Sequence, residues 1–120
     1  MATMTHTNLI EQTNQYIQAF TSKNLTKVAE FLTEDFVLED PVVVRVEGKE
    51  AALNAIEEIF NANESIDFKA KNIFCDNNYT IIEFILVLGN NTLKGTDVIR
   101  WEGGKMAELR AYLDLSKTST

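Results

Sequence analysis

Two aspartates fall at positions where the surrounding pattern predicts apolar side chains. Phe36, Leu38 and Asp40 alternate along one extended segment, and Asp97 continues the Leu93, Gly95, Ile99 and Trp101 face of a later one. Alternate residues of a strand share a face, so both carboxyls are predicted to point inward. Desolvation raises a carboxyl pKa, and two carboxyls in one apolar cavity push their values apart, leaving one ionised base and one neutral acid. That division suits general acid–base catalysis. Tyr16 is the third candidate, because its ring packs beside Ile17 on the first helix while its hydroxyl reaches the same space. The plainer alternatives are that each aspartate caps a turn or pairs with Arg110, Lys94 or Lys105, and that Tyr16 is simply a core aromatic.

Other polar residues are weaker candidates. Glu83 sits on the Ile81, Ile85 and Val87 face of an apolar strand, a face equally suited to a dimer surface, and Glu39 alternates outward with Val37. Cys75 is the only cysteine, which rules out an intramolecular disulfide and a thiolate metal cluster and makes a reducing cytoplasm the expected compartment. The only histidine, His6, lies in a polar leader, so neither histidine catalysis nor a zinc site is expected. A formal charge of −7 repels polyanions and argues against nucleic acid as a partner. The leader lacks the basic start and apolar run of a signal peptide, and no stretch approaches the ~18 apolar residues of a membrane span.

Elements that would position these residues can be read from hydrophobic period. Leu9, Ile10, Ile17 and Phe20, with Thr13, recur at helical spacing from Asn8 to about Ser22. Asn24 caps a shorter helix carrying Leu25, Val28, Ala29 and Leu32. Period two then takes over from Phe36 to Asp40, Pro41 suits a strand end, and Val42 to Val46 is extended. Gly48 precedes a third helix with Ala52, Ile56, Ile59 and Phe60 on its buried side. Four strands follow, Ile66–Phe74, Tyr79–Leu88, Thr92–Trp101 and Met106–Leu113, joined by short polar turns that imply antiparallel hairpins. The domain organisation is a flexible leader over 1–7, one α+β domain over 8–115 and a flexible tail over 116–120. Helices covering one face of a curved sheet leave a cavity. Its expected lining is Phe20, Phe36, Leu38, Ile56, Phe60, Phe84, Ile99, Trp101 and Leu109.

From Leu9 to Asp114 the chain resembles the ketosteroid isomerases of the nuclear transport factor 2-like superfamily, whose members include the SnoaL-like proteins. The resemblance is carried by Tyr16-Ile17-Gln18-Ala19-Phe20, Val37-Leu38-Glu39-Asp40-Pro41 and Asp97-Val98-Ile99-Arg100-Trp101 with its following glycine turn and Lys105. It implies a cystatin-like conical barrel in which three N-terminal helices pack in a curved, mixed and mainly antiparallel sheet. Residue by residue, it implies that Asp40 is the general base, Tyr16 the donor to a developing oxyanion, and Asp97 the protonated acid assisting that tyrosine, the family being a known example of such a neutral acid. The chain departs from the family where the best-studied isomerases carry a further tyrosine in the third helix: Ile56 or an apolar neighbour stands there, so the donor network is shorter.

Three functions follow as expectations. The first is an isomerase that needs no metal or organic cofactor and shifts a proton beside the carbonyl of a largely apolar ketone. The second is a SnoaL-type polyketide cyclase using the same inward carboxylate. The third is a non-catalytic ligand-binding or association module. A rarer relative hydrolyses epoxides with paired aspartates and an arginine, but Arg100 faces opposite Asp97 on its strand. The resemblance also implies a homodimer through the open sheet face.

Overall fold

A computed structural model describes residues 6–41 and 44–114, with side chains from Asn8 onward. Leader residues 1–5, Val42, Val43 and the tail from 115 lie outside the described residues. Helix α1 (His6–Thr21) starts two residues before the expected Asn8. It buries Leu9, Thr13, Tyr16, Ile17 and Phe20, which recur every three or four residues and so form one stripe. Helix α2 (Leu25–Glu30) begins at Asn24, whose side chain accepts from the Lys27 backbone N–H at 3.1 Å, satisfying one free donor of the first turn.

Leu32, expected on α2, is instead the first residue of β1 (Leu32–Asp40). The helix stops because the Phe31 carbonyl accepts from the Met106 N–H, at 2.6 Å, and so draws the chain toward strand pairing. After β2 (Val44–Glu47) comes α3 (Lys49–Ala62), which buries Ala52, Ile56 and Phe60. The rest is a meander of β3 (Ile66–Asp76), β4 (Tyr79–Leu88), β5 (Asn91–Glu102) and β6 (Lys105–Leu113). The β5–β6 hairpin turns on Gly103 and Gly104, both at positive φ (58° and 83°), the backbone that tight hairpin turns require.

The six strands form one sheet in the order β2-β1-β6-β5-β4-β3. Every pairing is antiparallel except β1 with β6, which run parallel and thereby bring the two halves of the chain together. Among the described residues the sheet is not closed: β2 and β3 are its edges. Thr21 tethers α1 along the β3 edge, its Oγ1 accepting from the Phe68 N–H at 3.0 Å. Phe20, Phe60, Phe68 and Phe84 meet edge to face with centroids 5.0–5.5 Å apart, an arrangement ring quadrupoles favour. They pack α1 and α3 against β3 and β4 on the concave side of the sheet.

Candidate active site

A cavity of about 240 Å3 opens between the helices and that concave face. Its deep end is walled by the buried residues Tyr16, Leu32, Phe36, Phe68, Asp97 and Met106. Its open end is rimmed by the half-buried Ile59, Leu86, Leu88, Leu93, Ala111 and Leu113. Tyr16, Asp40 and Asp97, the three candidates, all line this one cavity, and the other side chains that line it among the described residues are apolar.

Strand register explains how the carboxyls come to share it. Asp97 pairs with Ala111 across β5 and β6, and Glu39 pairs with Arg110 across β1 and β6. One residue further along β1, Asp40 comes level with Ala111. The two aspartates are therefore two strands apart, roughly 10 Å between backbones, with only a methyl side chain between them. Ala111 was not singled out from the sequence, although the Leu109 and Leu113 alternation places it on that face. Phe68 was likewise missed, and its alternation with Ile66 is the corresponding signal.

Tyr16 is positioned from the turn before it. The indole N–H of Trp101 donates to Thr80 Oγ1 at 2.9 Å, the hydroxyls of Thr80 and Thr13 are 3.0 Å apart, and Thr13 Oγ1 lies 2.7 Å from the Leu9 carbonyl oxygen. A carbonyl only accepts, so Thr13 gives its proton to Leu9 and Thr80 gives its own to Thr13. Both threonines are wholly buried. This chain of bonds ties α1 to β4 and to β5 four residues beyond Asp97, and so relates the tyrosine to the acid.

Electrostatics divides the three groups. Burial first, and the charge of Asp40 second, push the Asp97 carboxyl up to about 8, so it holds its proton at neutral pH. Burial, and then the charge Asp97 would carry if ionised, drive the Tyr16 phenol well above its ordinary value. Both groups are thus hydrogen-bond donors at neutral pH. Of the three cations weighed as partners for the aspartates, Arg110 lies 4.0 Å from Glu108 and Lys105 donates to the Glu30 carbonyl. Among the described residues Asp97 has no ion pair within 4.0 Å.

Phe20, Phe36, Leu38, Ile56, Phe84 and Leu109 line the cavity. Phe60, Ile99 and Trp101 do not: each is buried, but Phe60 packs behind Phe20 and Trp101 points to Thr80. Ile56 offers no hydroxyl to the tyrosine from α3. Arg100 pairs with Glu102 and Glu108, away from Asp97. Glu83 is exposed and accepts from Asn72 at 2.8 Å. No group of three or more His, Cys, Asp or Glu among the described residues is placed to hold a metal ion, and no helix among them is long and apolar enough to cross a membrane.

Comparison with known proteins agrees with this architecture. An NTF2-like protein of unknown function from Cytophaga hutchinsonii superposes with a TM-score of 0.76 at 19% identity, over 94% of this chain and 93% of that one. A candidate ketosteroid isomerase from Kribbella flavida gives 0.80 at 16% identity, over 93% and 82%. An LEH-like epoxide hydrolase from M. tuberculosis gives 0.75 at 19%, over 92% and 85%. At these identities the likeness is one of fold. Among curated proteins none matches in sequence. The SnoaL-like domain model matches residues 13–109, which includes Tyr16, Asp40 and Asp97, and the chain therefore belongs to the SnoaL-like family of NTF2-like proteins.

Proposed function

We propose that this protein moves a proton between carbons beside a ketone carbonyl, through an enolate and without a cofactor, as a steroid delta-isomerase does. The observation that carries the reading is that a buried carboxyl, Asp97, a buried phenol, Tyr16, and a second carboxyl, Asp40, line one apolar cavity, where burial raises the Asp97 carboxyl. Asp40 removes the proton from the carbon between carbonyl and alkene, and the C–H electron pair becomes the enolate double bond. Charge collects on the oxygen, where Tyr16 and Asp97 donate hydrogen bonds. Each such donor in a water-excluded site is worth on the order of 3 kcal/mol of barrier. Asp40 then returns the proton to the far carbon of the alkene, leaving the double bond conjugated. A polyketide cyclase would use the same groups on a different substrate.

The test is the rise in enone ultraviolet absorbance when 3-cyclohexen-1-one or a β,γ-unsaturated 3-ketosteroid is supplied to wild type and to Asp40→Asn. Turnover by wild type that falls at least about a hundredfold in the folded variant is expected for a lost general base. Folded wild type that is inert on both ketones, or an Asn variant as fast as wild type, would sink the reading.

The partners belong to the same proposal: an apolar small molecule in the cavity, and a second copy of the chain on the convex face. On that face Phe74, Ile81 and Val98 form one cross-strand row, with Phe74 52% exposed. Sedimentation should show a dimer that Phe74→Lys converts to monomer; a monomeric wild type at micromolar concentration would remove the dimer from the proposal.

A further inference from the structure

The volume and chemistry of the cavity narrow its ligand further. A cavity of ~150 Å3 holds benzene, or ~25 Å3 per ring carbon. On that scale about 240 Å3 takes about ten heavy atoms. A four-ring skeleton of sixteen or more carbons needs roughly 400 Å3 by the same measure. The deep end cannot readily widen, because its aromatic walls brace one another. Phe68 meets Phe84 at 5.0 Å and 86°, Phe20 at 5.5 Å and 72°, and Tyr16 at 6.3 Å and 89°. Close-packed interiors of this kind resist expansion. A larger ligand would have to leave part of its skeleton outside the rim of Leu86, Leu88, Leu93 and Leu113.

The polar groups limit the ligand a second way. Among the described residues, Tyr16, Asp40 and Asp97 are the only polar side chains on the wall. The strands behind it spend their backbone groups on one another. One oxygen of a ligand is therefore served by the two donors, and Asp40 is held to the carbon beside it, so a second oxygen at the far end of the skeleton would be buried without a partner among the described residues.

We infer that the substrate is a singly oxygenated, one- or two-ring apolar ketone of about ten heavy atoms, and not a four-ring one. This rests on the enolate reading of the same site, and the experiment separates the two. Phenols mimic the enolate oxygen, so dissociation constants are measured by calorimetric titration of the intact wild-type chain with phenol, 2-naphthol, 2,6-dihydroxynaphthalene and 1-hydroxypyrene. 2-Naphthol should bind at least about tenfold more tightly than phenol, since its second ring buries additional apolar surface. The second hydroxyl of 2,6-dihydroxynaphthalene should weaken binding about ten- to a hundredfold, the cost of an unpartnered buried polar group. 1-Hydroxypyrene should bind at least about tenfold more weakly than 2-naphthol. Equal binding of 2-naphthol and 1-hydroxypyrene, no penalty for the second hydroxyl, or no binding of any member by folded protein each overturns the inference. The enolate reading is tested separately by Tyr16→Phe and Asp97→Asn. If 2-naphthol is favoured over the larger and the doubly hydroxylated phenols yet binds wild type and both variants alike, the size assignment stands while the oxyanion-donor reading falls.

Discussion

Replacing Asp97 by Asn tests the physical premise on which the site depends. Asp97 is 5% exposed, and its carboxyl is pushed up to about 8 by burial and by the charge of Asp40. In the unfolded chain the same group releases its proton near 3.8. Between those values the folded state holds a proton that the unfolded state has lost, so stability falls as pH rises. The contribution is fully present below about pH 4 and is lost as pH passes through about 8. One pKa unit corresponds to about 1.4 kcal/mol, so between pH 5 and 8 the loss is on the order of 4 kcal/mol. Asparagine has nearly the same shape and never ionises. The stability of Asp97→Asn relative to wild type should therefore climb by about 1.4 kcal/mol per pH unit over that window and level off above pH 8. Taking the difference cancels the titration of the exposed carboxylates common to both proteins. Urea unfolding followed by fluorescence of Trp101, the single tryptophan and 2% exposed, supplies the free energies. A difference that stays flat within about 1 kcal/mol from pH 5 to 8 would mean that Asp97 is ionised in the folded protein, and the neutral-acid role would be refuted.

Two further substitutions test the frame that holds the site. Thr80→Val keeps the shape but leaves the Trp101 indole N–H and the Thr13 hydroxyl short of a buried partner, a loss of about 1–3 kcal/mol by urea unfolding; an unchanged midpoint would discount the hydrogen-bond chain. Gly95→Ala places a Cβ 2.6 Å from the Tyr112 carbonyl oxygen and 2.9 Å from the Phe84 ring. Backbone cannot retreat as a side chain can, so the variant should lose about 1–3 kcal/mol and melt at lower temperature; a neutral substitution would show that β5 and β6 are not in such close contact.

Much of the architecture could be read directly from residue period and turn chemistry. The recurrence of Leu9, Ile10, Thr13, Ile17 and Phe20 defines α1, the Asn24 cap starts α2, and alternation broken by polar turns yields the β3 to β6 meander in order. The inward direction of Asp40 and Asp97 also follows from period two, because in a strand the side of each side chain is set by its neighbours in sequence. Leu32 was misread, since one residue at a helix end satisfies either period, and the decision came from a hydrogen bond between Phe31 and Met106, far apart in the chain.

Everything that depends on which distant segments meet was decided by tertiary structure alone. Local sequence carries no mark of the parallel pairing of β1 with β6, yet that pairing sets Asp40 beside Ala111 and Ala111 beside Asp97. The same holds for the Thr13, Thr80 and Trp101 chain, which joins three elements. It also holds for the exclusion of Phe60, Ile99 and Trp101 from the cavity wall: the sequence shows that a side chain is turned inward but not how deep along the sheet it lies. The elevated Asp97 pKa belongs here too, because desolvation measures how completely the other elements close over a carboxyl. The sequence by itself determined which residues face the interior, a local property of backbone geometry; the packing of distant elements decided which of them meet, and how much space lies between them.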